Sequence, residues 1–178
     1  CRENKLGFFI LGNGSNLLVS DKGYRGVVIQ LWKNFSDIET EDNTITVKAG
    51  ALLSKVAAEA LEESLTGMEF ASGIPGTMGG AVMMNAVAYG GEMKDIIREV
   101  TVLTREGELL TLSKEEMNFG YRTSVVKEKG YVVISAELQL RKGDREEIRK
   151  VMDELKERRV TKQPLDMPSA GSTFKRPE

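Results

Sequence analysis

The glycine-rich stretch at residues 73–91, GIPGTMGGAVMMNAVAYGG, restricts the folds open to this chain more than any other part of its sequence. Glycine has no Cβ, so it tolerates positive φ angles and lets another group approach the backbone closely. Backbone N–H groups left open in such a segment, beside the start of a helix, suit a phosphate or another anion. The residues alone leave two interpretations open: an anion-binding loop, or a turn that only allows a helix to pack tightly on a strand.

A second glycine turn, GNGSN at residues 12–16, follows the apolar run GFFILG at 7–12 and precedes LLVSD at 17–21. The apolar run predicts a buried strand, and LLVSD looks extended as well. A Rossmann turn would open a helix here, and the phosphate-loop pattern GxxxxGK[ST] is absent from the sequence. The turn can still offer N–H groups and the side chains of Ser15 and Asn16 to a phosphate. A plain hairpin is the alternative.

The composition excludes several classes of function. The 178 residues contain no histidine, which removes the Ser-His-Asp triad, most zinc sites and the commonest general base near neutral pH. Catalysis must therefore use another polar side chain or a cofactor. The single cysteine, Cys1, allows no internal disulfide, so we expect a reducing cytoplasm. A net charge of −2 gives no sign of nucleic acid or an anionic membrane as partner.

Short strands mixed irregularly with a few helices predict an α+β fold, because a doubly wound fold would show a regular βαβ repeat. Beyond the first apolar run, strands are predicted at 26–31, 44–48, 96–104, 108–112 and 131–140. Apolar residues at helical spacing predict a helix over 52–65 that stops before Gly67.

Asp144 should cap a last helix, with Glu147 at its third position. The buried stripe of this helix is predicted to be Ile148, Val151, Met152 and Leu155. Its other face carries basic residues, which we interpret as a solvated surface: Arg145, Arg149, Lys150, Lys156, Arg158 and Arg159.

Four motifs stand in order along the chain: LGNGSNLLVSD (11–21), GIPGTMGGAVMMNAVAYGGE (73–92), YRTS (121–124) and QPLDMPSAGSTFKRP (163–177). Together they resemble the UDP-N-acetylenolpyruvoylglucosamine reductases, flavoenzymes that complete UDP-N-acetylmuramate in peptidoglycan precursor synthesis. The chain is similar to the second type of this family, in which PSAGS follows the charged helix without a long inserted loop.

The resemblance implies an FAD-binding fold of the vanillyl-alcohol oxidase type, with an FAD domain of two α+β lobes and a separate substrate domain. Residues 1–140 would be the second FAD lobe, and 141–178 the beginning of a truncated substrate-binding domain. The first FAD lobe would be missing. We therefore expect the chain to be a fragment of a longer protein.

The resemblance also implies which residues hold FAD, bound non-covalently. A diphosphate needs converging N–H groups where side chains would obstruct it, which agrees with two glycine segments. The implied contacts in the first turn are Gly12, Asn13, Gly14, Ser15 and Asn16. Those in the second stretch are Ile74, Pro75, Gly76, Thr77, Gly79, Gly80, Tyr89 and Gly90.

The implied reaction uses NADPH to reduce FAD, after which hydride reaches the methylene carbon of UDP-N-acetylglucosamine enolpyruvate. By the family motif, Arg122 binds the substrate carboxylate and stabilises the enolate, a task that suits a planar, permanently charged guanidinium. Ser172 would give the proton that quenches the enolate, while Tyr121 and Lys175 would contact the substrate. From the local sequence alone, Arg122 would be interpreted as a member of a surface ion pair. Ser172 would be interpreted as a turn or cap residue, and Lys175 as a solvated lysine.

Two residues depart from the family pattern: Arg176 stands where most members carry asparagine, and Val87 where most carry glycine. The catalytic glutamate of the family lies beyond residue 178, and Glu178 is not in its motif. We therefore expect this chain alone to bind FAD weakly at best and not to turn over. Two alternatives stay open: another FAD-dependent oxidoreductase of the same fold, or a non-catalytic nucleotide-binding module.

Overall fold

The structure is a computed structural model that describes residues 1–163 and 167. Its strands are β1 (Phe8–Leu11), β2 (Val27–Gln30), β3 (Ile38–Glu41), β4 (Thr44–Lys48), β5 (Leu65–Thr66), β6 (Val87–Ala88), β7 (Gly91–Glu92), β8 (Ile97–Leu103), β9 (Leu109–Ser113), β10 (Val132–Gln139) and β11 (Arg141–Lys142). Its helices are α1 (Leu53–Glu62), α2 (Met78–Met83), α3 (Met93–Ile96), α4 (Val125–Lys129) and α5 (Arg145–Lys162). Short 3₁₀ helices form at Lys33–Phe35 and Glu69–Ala71.

A five-stranded antiparallel sheet, in the order β3-β4-β10-β8-β9, forms the centre of the molecule. Its register is set by alternation: in β4, Ile45 and Val47 are fully buried, whereas Thr44 and Thr46 are half-buried. Ile45 pairs with Leu138 of β10, and Val47 pairs with Ala136. One face of the sheet is therefore apolar, and α2 packs on it across β10 and β4. The mixed helix and sheet content confirms the α+β prediction.

Helix α1 buries the predicted stripe of Leu53, Val56, Ala57, Ala60 and Leu61. It ends at Glu62, earlier than the glycine stop predicted at Gly67. The reason is Ser64, which takes a left-handed backbone conformation with φ +55° and turns the chain into β5.

The N-terminal segment forms a small sheet of its own, in which β1 and β2 are parallel. The strand prediction for 7–12 is confirmed, but the burial prediction is wrong for Phe8 and Phe9, which are 39% and 40% exposed. The physical reason is that this sheet has only two strands, and within residues 1–163 neither pairs with the five-stranded sheet. LLVSD forms no strand. The proposed division of the chain at residue 140 stays a prediction.

The segment after residue 140 is attached to the rest of the molecule. β11 pairs with β5, and α5 packs on α1 and on the 3₁₀ helix Glu69–Ala71. The predicted cap is confirmed, since Glu147 N donates to Asp144 Oδ1 at 2.9 Å. Ile148 is buried as predicted, but Val151 is 43% exposed and does not belong to the buried stripe. Within the described residues, no helix is both long and apolar enough to span a membrane.

Candidate functional site

The two glycine segments meet in space. Asn13 Nδ2 donates to the carbonyl oxygen of Pro75 at 3.0 Å, which joins the first turn to the second stretch across 62 residues of sequence. Gln30 Nε2 donates to the carbonyl oxygen of Gly12 at 3.2 Å and fixes the start of the turn to β2. Segments that the sequence separates widely thus form one mouth, which we call the glycine mouth and define as residues 12–16 and 73–80.

Gly12 is required for this approach. A Cβ built at Gly12 would overlap the side-chain oxygen of Thr77 and lie 3.4 Å from its Cβ. Thr77 cannot easily yield, because it is 2% exposed and its β-branched side chain is stiff at χ1. The absence of a side chain at residue 12 therefore lets the two segments touch.

The two segments offer different groups to an anion. Among the described residues, no carbonyl or side chain accepts a hydrogen bond from the N–H groups of Asn13, Gly14, Ser15 or Asn16. Gly14 has a φ of +73°, a left-handed conformation that glycine adopts at little cost. Four successive open N–H groups beside such a residue are typical of a backbone concavity that binds phosphate.

The N–H groups of the second stretch are largely used within the protein. Ile74 N donates to Ala71 O and Gly76 N to Ile74 O. At the start of α2, Met78 N donates to Ala51 O and Gly79 N to Ala49 O, both at 2.8 Å. The hypothesis that this helix start points open N–H groups at a ligand is therefore wrong for these two residues.

The second stretch instead supplies small surfaces that let a ligand lie close. Pro75 and Gly80 are exposed, and Ile74 packs partly against the core. A Cβ at Gly79 would lie 3.0 Å from Ala49 Cβ, so this glycine is needed for packing. Tyr89 and Gly90 form the tip of the β6–β7 hairpin, with φ angles of +50° and +87°.

Taken together, the observations fit a diphosphate in the glycine mouth. Open N–H groups come from the first turn. Because Gly12 has no Cβ, the second stretch can approach that turn closely. The two segments therefore contribute unequally to the mouth.

Arg122 lies in a tight turn close to α2. Gly120 N donates to Thr123 O at 3.1 Å, and Thr123 N donates back to Gly120 O at 3.4 Å. Arg122 is the third residue of this turn and has a φ of +59°, a left-handed value that costs a non-glycine residue roughly 1–2 kcal/mol. Such strain persists only where surrounding contacts enforce it, and it clusters at functional sites.

The turn is attached to the C-terminal end of α2. Ser124 Oγ donates to Met83 O at 3.0 Å, and Asn85 Nδ2 donates to Gly120 O at 3.2 Å. α2 has six residues, so at 1.5 Å per residue the attachment lies about 9 Å along the helix axis from Thr77. One short helix thereby connects the glycine mouth to the Arg122 turn.

Arg122 is half-buried, and within residues 1–163 its guanidinium forms no ion pair or hydrogen bond. The alternative interpretation, a surface ion pair, requires an acidic partner for Arg122, and the described part of the chain provides none. Tyr121, beside it, is exposed. A guanidinium without a partner in the described residues, on a backbone held by hydrogen bonds, can donate to a carboxylate in the bidentate manner that arginine favours.

One site residue was missed by the sequence analysis. Arg159 of α5 was assigned to a solvated face, but its side chain lies against the glycine-rich stretch: a Cβ at Gly73 would lie 2.8 Å from Arg159 Nε. Its guanidinium is 5.9 Å from the centroid of the Tyr89 ring. Arg159 Nε is buried and has no hydrogen-bond partner among the described residues. Helical spacing could have shown only that Arg159 lies one turn beyond Leu155.

Several predicted site residues lie outside the described part of the chain: Ser172, Lys175 and Arg176, together with Glu178. Val87 is described, and it is half-buried in β6 opposite Glu92 of β7. No group of three or more acidic or cysteine side chains within the described residues could hold a metal ion.

Comparison with known proteins agrees with this geometry. The family model of the FAD binding domain matches residues 1–113. The chain is 56% identical over 176 residues to the UDP-N-acetylenolpyruvoylglucosamine reductase of Caldanaerobacter subterraneus and 53% identical over 176 residues to that of Clostridioides difficile. Both matches cover 99% of this chain but 58% of the relative. The resemblance inferred from the four motifs is confirmed.

Solved structures agree as well. The UDP-N-acetylenolpyruvylglucosamine reductase of Thermus caldophilus matches with a TM-score of 0.82 at 38% identity, over 99% of this chain and 64% of that protein. A 6-hydroxy-D-nicotine oxidase from Arthrobacter nicotinovorans matches with a TM-score of 0.58 at 18% identity, which supports the fold alone. The predicted FAD-binding fold of the vanillyl-alcohol oxidase type is confirmed.

Proposed function

The chain belongs to the FAD binding domain family, and on that premise we propose that it is the FAD-binding part of a UDP-N-acetylenolpyruvoylglucosamine reductase. The observation that carries the proposal is the Asn13–Pro75 hydrogen bond, which joins two glycine segments into one mouth with open N–H groups. The chain spans 58% of the length of the relatives it matches. The complete enzyme, which we call the full-length protein, would be a longer polypeptide that contains this chain.

In this proposal the first turn holds the FAD diphosphate. The N–H groups of Gly14, Ser15 and Asn16 would donate to phosphate oxygens, while Pro75 and Gly76 provide a wall without long side chains. Thr77, Gly80, Tyr89 and Gly90 would line the path from the diphosphate towards the Arg122 turn, beside Ile74 and Gly79. FAD supplies the hydride-transfer chemistry when it is bound.

Arg159 would add a positive charge to the same mouth. A buried guanidinium nitrogen without an acceptor costs free energy, and an anionic ligand beside it would remove that cost. The glycine at residue 73 leaves the space in which this side chain lies. We therefore assign Arg159 to the FAD diphosphate, next to the open N–H groups of the first turn.

Arg122 would bind the carboxylate of UDP-N-acetylglucosamine enolpyruvate. When hydride reaches the methylene carbon of this substrate, negative charge moves onto the enolate and its carboxylate. A guanidinium fixed by its backbone stabilises that charge without reorganising during the reaction. Ser172 would give the proton to the enolate carbon, and Tyr121 and Lys175 would hold the substrate.

The finer parts of the proposal concern the reductant and the setting. NADPH would be the reductant, and the product UDP-N-acetylmuramate would enter peptidoglycan synthesis in the cytoplasm. Residues 1–140 would belong to the FAD domain and 141–178 would begin the substrate-binding domain. The 178 residues would then show no turnover by themselves, because they span 58% of the length of the reductases that they match.

The test is to purify the full-length protein and measure its flavin absorbance and its oxidation of NADPH. We expect a non-covalently bound flavin and NADPH oxidation that depends on UDP-N-acetylglucosamine enolpyruvate. Flavin released by denaturation would separate this protein from a covalent flavin oxidase. A bound flavin without substrate-dependent oxidation would refute the reductase, and absence of flavin would leave the nucleotide-binding module as the better proposal.

A further inference from the structure

We propose that Asn85 is a positioning residue for Arg122, and that it sets the affinity for the substrate carboxylate through the backbone of the 120–123 turn. The proposal rests on the proposed function, since it assumes that Arg122 binds that carboxylate. Asn85 does not itself reach the substrate in this scheme. It acts by holding Gly120, the residue from which the Arg122 turn starts.

The contacts of Asn85 use its whole amide group. Its Nδ2 donates to Gly120 O at 3.2 Å and to Glu92 Oε2 at 2.8 Å, and its Oδ1 accepts from Lys94 N at 2.9 Å. The side chain is fully buried, at 0% exposed. Three segments therefore meet at one amide: the end of α2, the start of α3 that soon follows it, and the Arg122 turn, whose Gly120 lies 35 residues further along the chain.

The orientation of this amide is fixed by its neighbours. Glu92 Oε2 also pairs with Lys94 Nζ at 3.1 Å, and Asp95 Oδ2 accepts from Glu92 N at 3.0 Å. A carboxylate facing Nδ2 and a backbone N–H facing Oδ1 allow only one orientation of the Asn85 side chain. The bond to Gly120 O is therefore available without reorganisation.

The turn needs this support because its backbone is strained. Arg122 has a φ of +59° and Asn85 has a φ of +41°, both left-handed values for residues with a Cβ. Asparagine tolerates this region better than most residues, whereas arginine does not. Gly120 is attached to Asn85 and Ser124 is attached to Met83, so the backbone of the Arg122 turn is held at the C-terminal end of α2.

The decisive variant is Asn85→Asp, which keeps the size of the side chain and removes both donors from Nδ2. Its oxygen would face Glu92 Oε2 and Gly120 O, so the turn should be released. Asn118→Asp is the matched control, because Asn118 is also left-handed, with a φ of +46°, but is exposed. Both variants are made in the full-length protein with FAD bound.

The experiment compares two ligands by titrating the change each causes in the flavin absorbance spectrum. For UDP-N-acetylglucosamine enolpyruvate, we expect the dissociation constant of N85D to rise about tenfold or more. This is the effect of losing one strong hydrogen bond, here the bond from Arg122 to the substrate carboxylate. For UDP-N-acetylglucosamine, which lacks the enolpyruvyl carboxylate, we expect a change of less than about twofold. N118D should match the wild type with both ligands.

Equal weakening of both ligands, or no weakening of either, would overturn the proposal. If N85D does not retain FAD, Ser124→Ala gives the same decision from the other end of the turn, since it removes the bond to Met83 O. S124A should again weaken only the carboxylate ligand. The wild type separates the two hypotheses: if its spectrum does not respond to the enolpyruvyl ligand, the proposed function fails, whereas a normal response with an unchanged N85D refutes only the role of Asn85.

Discussion

Substitution of Gly12 by alanine tests whether the two glycine segments must touch. The added Cβ would overlap Thr77 Oγ1 and lie 3.4 Å and 3.5 Å from Thr77 Cβ and Cγ2. Thr77 is buried beside Leu52, with which it forms an isolated β-bridge, so it has little room to retreat. Overpacking of this kind typically costs about 1–3 kcal/mol, and we expect G12A to lose that amount of unfolding free energy.

The loss should also appear in cofactor binding. If the turn moves away from Thr77 to relieve the overlap, the Asn13–Pro75 hydrogen bond breaks and the mouth widens. Loss of about 1.4 kcal/mol of binding free energy corresponds to a tenfold weaker affinity. Urea unfolding of the FAD-free full-length protein and a flavin fluorescence titration measure the two effects separately.

Two further variants control this experiment. Gly80→Ala makes the same chemical change near the same hydroxyl, but its Cβ would lie 3.8 Å from Thr77 Oγ1, so it should fit and stabilise α2 by about 0.5–1 kcal/mol. Thr77→Ala removes the overlapping oxygen, so the G12A/T77A pair should be more stable than the sum of the single changes predicts. A G12A protein that unfolds like the wild type, or a pair that is merely additive, would refute the steric argument.

The other predictions follow from strain, charge and titration. Arg122→Gly should raise the unfolding free energy by up to about 1 kcal/mol, because glycine pays no left-handed cost, and should abolish the response to the carboxylate ligand; a less stable R122G protein would contradict the strain argument. Arg159→Met should weaken FAD binding about tenfold without destabilising the FAD-free protein, with Arg158→Met as an exposed control that should match the wild type in a flavin titration. Backbone and side-chain hydrogen bonds from Ser113 lower the pKa of Glu116 below its ordinary value of 4.5. Glu116 therefore stabilises the fold above that value, and the contribution is lost as pH falls through the lowered pKa; unfolding curves of Glu116→Gln against pH should lack this part of the acid dependence.

Much of the fold could be predicted because its signals are local. Alternation in residues 44–48 follows from the two-residue period of a strand, and the stripe of α1 from the 3.6-residue period of a helix. The cap at Asp144 is also local, since it joins residues three apart. The burial of Phe8 and Phe9 was predicted wrongly, because the number of neighbouring strands is not encoded in a single apolar run.

The sequence by itself determined the family and predicted the two glycine segments and Arg122 as site residues, because motifs and their order can be read along the chain. Only the tertiary structure decided which N–H groups stay open, that Asn85 holds the Arg122 turn and that Arg159 leaves the charged face of α5 for Tyr89. The hydrogen bonds from Met78 N and Gly79 N span 27 and 30 positions, the one from Asn85 to Gly120 spans 35, and the contact of Arg159 with Tyr89 spans 70. No period or spacing along the chain records such contacts, because each of them forms only when the sheet and its helices have packed.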